Sequence, residues 1–244
     1  MTHEHTVKSF DEELQQLDRI IAEMGRLCTA YLADSVATVL NRDVKSGDDL
    51  VKRDLEIDRL EQELTQCAVR ILALRQPMAA DLRTIVAALK TGAILERVGD
   101  YAKNIAKRSV AIAQLNSVGP IHTLGHLSDR VREMLKTVID AYVARDPKRA
   151  RQVVQQDSAV DQLHTSFFRE LLTYMMEDPR TIGSGIHLLF VAKHLERVGD
   201  QATNIAENLL YIVEGGSGFP DRWKADESSH VAASPPARKG GKGG

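Results

Sequence analysis

Four pairs of carboxylates, Asp54/Asp58, Glu96/Asp100, Asp157/Asp161 and Glu196/Asp200, each stand i, i+4 within stretches of helical period in this chain of 244 residues. That spacing sets both acids of a pair on one face of a helix. Like charges so placed destabilise an isolated helix by roughly 0.2–0.5 kcal/mol a pair, so their recurrence points to a bound cation. Carboxylate oxygens without thiolate suit a hard ion such as Mg²⁺, Mn²⁺ or Fe³⁺ better than copper or structural zinc. Asp161 and His164, three apart on one face, can add an imidazole nitrogen. The competing description is a set of solvated surface acids. Asp100 has Arg97 and Lys103 beside it, Asp200 has Arg197 and Glu196 has Lys193, whereas Glu96 has no base at i±3 or i±4. The recurrence of the pairs at matching places favours the metal.

Two of the pairs are copies. Glu-Arg-Val-Gly-Asp occupies Glu96 to Asp100 and again Glu196 to Asp200, and Asn104-Ile105-Ala106 recurs as Asn204-Ile205-Ala206. Arg42-Asp43, Asp54 and Asp58 likewise recur as Arg145-Asp146, Asp157 and Asp161, and Asp81-Leu82-Arg83-Thr84-Ile85 is echoed by Asp178-Pro179-Arg180-Thr181-Ile182. A repeat of this length implies two similar domains, each holding two acidic pairs on neighbouring helices. Gly99 and Gly199 each cost a helix interior about 1 kcal/mol relative to Ala, and their repetition suggests a close helix approach beneath each site. Asn104 and Asn204, one turn further along, can orient a carboxylate or a water, or be ordinary surface polar residues.

The elements that position these acids follow from apolar spacing. Phe10, Leu14, Leu17, Ile21, Met24, Cys28 and Tyr31 form a bundle-type seam. Ser9 with Glu12 makes a capping box at its start, and Ser46-Gly47-Asp48-Asp49 makes a turn after it. Ile57, Leu60, Leu64, Cys67, Ile71 and Leu74 mark a second helix, Pro77 ends it or opens the next, and a third runs from about Asp81 to Leu115. Leu124, Leu127, Val131, Met134, Val138 and Tyr142 mark a fourth helix, Val153, Val160, Leu163, Phe167 and Leu171 a fifth, and Asp178-Pro179 opens a sixth. No segment alternates with period two, so no sheet is expected. The expected fold is all-α: two tandem three-helix bundles related by the internal repeat, over residues 8–116 and 120–214. Residues 215–244, rich in Gly, Ser and Pro, read as a disordered tail carrying Trp223, the single tryptophan.

Composition narrows the function. Hydrophobic residues at 43% suffice for real cores, while aromatics at 5% leave Leu, Ala, Ile and Val to fill them. A formal net charge of −2 argues against a nucleic-acid binder. Cys28 and Cys67 occupy apolar helical positions and read as buried free thiols of a reducing compartment. No apolar run approaches a membrane span, and the first residues lack a signal peptide, so a cytosolic location is expected. Phosphate loops, dinucleotide fingerprints, the nucleophile elbow and His-Glu-x-x-His are absent from the sequence. Glu-x-x-His occurs at Glu227 to His230, in the Gly/Ser/Pro-rich segment, and in none of the expected helices, which argues against a ferritin-like oxidase. Ser184, between Gly183 and Gly185, reads as a flexible helix start.

These residues resemble the PhoU family of bacterial phosphate-signalling proteins. The resemblance runs from Phe10-Asp11-Glu12-Glu13-Leu14 to Ile205-Ala206-Glu207-Asn208. It rests most specifically on Arg75-Gln76-Pro77, Asp81-Leu82-Arg83, Leu95-Glu96-Arg97-Val98-Gly99-Asp100 and Lys103-Asn104-Ile105-Ala106. Met175-Met176-Glu177-Asp178-Pro179-Arg180 and His187-Leu188-Leu189-Phe190 carry it into the second half. The resemblance implies two three-helix bundles about a pseudo-twofold axis. It implies metal clusters, iron among them, held by Asp54, Asp58, Glu96 and Asp100 and by Asp157, Asp161, Glu196 and Asp200. The identity of the metal (iron, manganese, magnesium or zinc) is left open. It further implies a regulator rather than an enzyme. Such a regulator links the ATPase subunit of a phosphate ABC transporter to a membrane sensor histidine kinase and restrains uptake and the starvation response. A homodimer without membrane insertion is expected, recruited by its partners to the inner face of the membrane. The alternatives are a metal-dependent hydrolase using the carboxylates and a structural helical scaffold.

Overall fold

The structure, a computed structural model, describes residues 2–44, 49–115, 119 and 121–215. Six long helices carry the chain: α1 (Thr2–Asn41), α2 (Asp54–Arg75), α3 (Ala79–Ala113), α4 (Ile121–Ala144), α5 (Pro147–Glu177) and α6 (Ile182–Glu214). Short 3₁₀ turns precede α2 (Val51–Arg53) and α6 (Pro179–Thr181). Among the described residues there is no strand, as the missing period-two pattern requires. The turn expected at Ser46-Gly47 and the tail after Gly215 with Trp223 lie outside the described residues. One boundary differs from expectation. Ser9 does not cap α1 but sits inside it, because nothing from Thr2 to Lys8 breaks a helix and α1 already starts at Thr2.

Helices α1, α2 and α3 pack together as one bundle and α4, α5 and α6 as the other; α3 lies against α6 and α1 against α4. A single apolar cluster draws side chains from all six helices, Met24, Leu64, Leu95, Leu127, Phe167 and Leu195 among them. The bundles therefore share one core. Helices α1, α3, α4 and α6 are central, and α2 and α5 pack on their flanks and contribute to the same core.

Helix ends are set by local chemistry. Asp146 caps α5, accepting from the Lys148 and Arg149 amides at 2.9 and 3.2 Å, with Pro147 at the first helical position, where its missing N–H leaves no bond unmade. Asp178 caps the turn before α6 in the same way, through the Arg180 amide at 3.0 Å. The recurring Arg-Asp dipeptides end α1 and α4. Arg42 and Arg145 have φ of 55° and 53°, in the left-handed region. The next amide reaches back to Thr38 O at 3.0 Å and to Ala141 O at 2.9 Å, a Schellman ending. Glycine usually occupies that position. Here the arginine side chains offset the strain: Arg42 donates to the last carbonyls of α3, at Ile112 (2.9 Å) and Ala113 (3.2 Å), and to that of Leu115 just beyond it. Arg145 donates to both oxygens of Asp18 on α1, at 2.9 and 3.0 Å.

Helices α1 and α4 approach each other closely at Gly25. A Cβ added to Gly25 would lie 2.6–2.8 Å from three atoms of Ile139, so a side chain there must wedge the helices apart. Gly25→Leu is expected to destabilise the protein by about 1–3 kcal/mol, read as a lower urea midpoint.

Candidate metal centre

The acidic pairs sit where the repeat placed them: Asp54 and Asp58 on α2, Glu96 and Asp100 on α3, Asp157 and Asp161 on α5, Glu196 and Asp200 on α6. In the first half tertiary packing brings the two pairs within reach of each other's charge. In the first half, Gly99 lets α2 approach α3: a Cβ there would lie 2.9 Å from Ile57 Cδ1 and 3.3 Å from Asp54 Oδ1. Gly199 does the same for α5 and α6, where the corresponding Cβ would lie 3.2 Å from Val160 Cγ1. The repeated glycines thus make room under the carboxylates, as their cost in a helix suggested.

Several of these acids are buried, unlike solvated surface groups. Asp54, Asp157, Asp161 and Glu196 are 3%, 9%, 2% and 3% exposed. In the first half, Lys103 of α3 reaches across to Asp54 and lies 3.7 Å from Asp100. Hydrogen bonding to Asp54 holds the Lys103 ammonium above its usual range. Glu96 has no ion pair among the described residues. Burial, and then the charges of Asp100, Asp58, Asp54 and Glu61, push its carboxyl up. Burial first and Asp54 next push Asp58 up as well, against the pull of Lys103. Among the described residues Lys103 meets Asp54, Asp100 and Asp58, and Glu96 feels the charges of Asp100, Asp58, Asp54 and Glu61, so negative charge outweighs positive charge at this spot.

The second half is built differently. Position 203 matches Lys103 but is threonine, fully buried, its hydroxyl 3.2 Å from both Asp157 Oδ1 and the Gly199 carbonyl. Lys193 instead approaches Glu196 at 3.1 Å. His164, one turn after Asp161, is 3% exposed. Asn204 donates to Gln201 at 3.4 Å. With the side chains turned to these partners, no three His, Cys, Asp or Glu among the described residues are set about a common ion position. All eight donors are oxygen ligands of the type a hard cation takes, and the cradle over Gly99 has room for Asp54 only because a Cβ is missing. The residues fit such a cation.

A family model for the PhoU domain matches residues 21–109 and again 124–209. The chain belongs to the PhoU family. It is 46% identical over 223 residues to a phosphate-specific transport system accessory protein PhoU homolog of Zymomonas mobilis subsp. mobilis, covering 91% of this chain and 94% of that one. With the homolog of the same name from Rhizobium meliloti it shares 44% identity over 234 residues, 96% of this chain and 99% of the relative. The fold superposes on the crystal structure of PhoU from Pseudomonas aeruginosa with a TM-score of 0.82 at 35% identity, over 85% of this chain and 100% of that one. The phosphate transport system regulatory protein PhoU from Streptococcus pneumoniae gives 0.78 at 26% identity, over 85% and 98%. The two PhoU domains coincide with the two bundles, so each carries one cluster of acids.

Both cysteines of this PhoU family member are buried, Cys28 donating to Leu95 O at 3.2 Å, and burial pushes both thiols up. Two features escaped the sequence reading. One is the exchange of Lys103 for Thr203, visible once the repeats are aligned but carrying no motif. The other is a stack between the domains: Tyr101 of α3 lies on His194 of α6, ring centroids 5.6 Å apart. Burial, and then Arg108 and Arg197, pull the His194 imidazole down to about 4.

Removing the Lys103 ammonium leaves Asp54 buried without it, so Lys103→Ala is expected to destabilise the metal-free protein by about 1–3 kcal/mol, measured by urea denaturation. His194 is neutral in the fold and takes a proton more readily once unfolded. Its contribution is present above the ordinary histidine value and lost as pH falls toward about 4. The stability difference between the wild type and His194→Gln should therefore shrink on acidification from about pH 6.5. A difference flat with pH would contradict the assignment.

Proposed function

We propose that this protein is the regulatory accessory component of a phosphate-specific transport system. In this reading it works in the cytoplasm at the inner face of the membrane. It engages the ATPase subunit of the phosphate transporter and a sensor histidine kinase, and holds the starvation response and uptake down when phosphate is plentiful. What carries the reading is the near full-length identity to relatives named as accessory proteins of that system. The architecture suits a docking component: no described helix is long and apolar enough to cross a membrane. The carboxylates serve here as ligands and not as an acid–base pair, and the chain acts as a homodimer.

Metal is part of the proposal. Asp54, Asp58, Glu96 and Asp100 would hold a cation in the first domain, and Asp157, Asp161, Glu196 and Asp200 one in the second. Iron, manganese, magnesium and zinc are the candidates, and oxygen ligation favours the harder ions. When bound, the cation supplies charge compensation. The chain's own residues supply the rest: Gly99 and Gly199 hold the helices close, and Lys103 neutralises Asp54 in the cation's absence.

Two measurements test this. In Glu96→Ala/Asp100→Ala, elemental analysis of the purified protein should show metal lost from the first domain only; unchanged metal content would remove that site. In cells, deleting the gene should turn on phosphate-starvation genes in phosphate-rich medium, and replacing acids in both domains should reproduce part of that effect. A starvation-gene reporter that stays off in the deletion strain, with transporter and kinase intact, would overturn the regulatory reading.

A further inference from the structure

Away from the acids, the seam between α3 and α6 carries an unmatched surface. Ile182, Ile186 and Phe190 follow one another at four-residue spacing on α6 and are 43%, 45% and 48% exposed. His194 and Arg197 continue the same stripe. Arg108 of α3 lies beside it, its guanidinium carbon 4.0 Å from the Phe190 ring centroid and a terminal nitrogen 3.3 Å from His187 Nδ1. Arg197 stands 6.0 Å from the centre of the Tyr101 ring. Among the described residues neither arginine has an ion pair. Around Arg108 the adjoining sequence explains why, since residues 101–115 and 182–195 contain no Asp or Glu; Arg197 follows Glu196 and precedes Asp200 by three residues. Asp178, at the end of α5, is bound to Arg180 at 2.9 Å.

Apolar side chains at helical spacing, flanked by aromatic rings and by arginines that make no ion pair among the described residues, have the composition of a protein-binding hot spot. A free inorganic anion would use the arginines but leave the ridge wet. A nucleic acid would meet a chain of net charge −2 with acids on both flanks. We propose that Ile182, Ile186 and Phe190, with Arg108 and Arg197, form a docking surface for an acidic segment of a partner protein. That segment's carboxylates pair with the two arginines and its apolar side chains cover the ridge. Arg108 is already held in place by Phe190 and His187, so it loses little freedom on pairing. The guanidinium is also partly desolvated, and burial pulls it below the usual arginine range, so a carboxylate there meets less competition from water.

For the identity of the partner the inference rests on the regulatory reading above, so the probes are the cytoplasmic region of the sensor kinase and the transporter ATPase subunit. Each is titrated against the full chain, Phe190→Ala, Arg108→Glu and, as a control on α1, Arg26→Glu. Both seam variants should bind one probe at least about tenfold more weakly, with the control unchanged and the Arg108→Glu deficit shrinking as salt rises. Helix content and melting should stay near wild type, since both side chains are partly exposed; Ile186→Ser replaces either variant that fails to fold. Wild-type affinity in both seam variants would overturn the surface while leaving the regulatory reading intact. A wild-type chain that binds neither probe would overturn both. Variants that alter the self-association of the chain but not probe binding would assign the ridge to a second copy. Tighter probe binding after removal of residues 216–244, with no effect of the seam variants, would assign it to the chain's own tail. Either result overturns the proposal.

Discussion

The approach of α2 to α3 at Gly99, repeated by α5 to α6 at Gly199, is the constraint on which the acidic clusters depend. Neither acidic pair of a domain makes a site alone, because two carboxylates on one helix face present few donors and repel each other. The missing Cβ brings the second pair up against the first. Ile57 and Val160 fill the space below, so the same contact that seals the core edge sets the carboxylates above it. A methyl at either glycine would act on the packing and on the site together. That explains why a residue unfavourable to helices by about 1 kcal/mol stands at both places.

Once the acids are gathered, charge has to be balanced. The first domain does so with Lys103 laid on Asp54, and still leaves Glu96 and Asp58 under the repulsion of their neighbours. The second domain buries more of its carboxylates and uses the neutral Thr203 where the first has lysine. A repeated sequence has therefore yielded two electrostatically different environments. Any cation in the first domain competes with an ammonium for Asp54; in the second the corresponding oxygen accepts from a hydroxyl.

The shared core ties these two environments into one body. Helices α3 and α6 both carry acidic pairs and pack against each other. The stack of Tyr101 on His194 and the bond from Arg108 to His187 span that junction. This contiguity gives a physical route by which charge at the acids can alter the surface between the domains.

Helical period, the helix opening at Asp178-Pro179, the repeat and the eight acids were all legible in the amino-acid order, since each depends on spacing within a few residues or on identity between copies. So was the close approach at Gly99 and Gly199, because a glycine in a helix is costly unless something lies against it. What tertiary structure alone decided involves partners distant in the chain. Burial of Asp157, Asp161 and Glu196 depends on how deeply α5 and α6 settle together. The pairing of Lys103 with Asp54 spans two helices, and the left-handed Arg42 is tolerable only because the end of α3 lies within reach of its guanidinium. The cationic seam likewise exists only because α3 and α6 are packed side by side. Local pattern can state which face of each helix is apolar, but which helix meets it, and how closely, follows from the packing of the shared core.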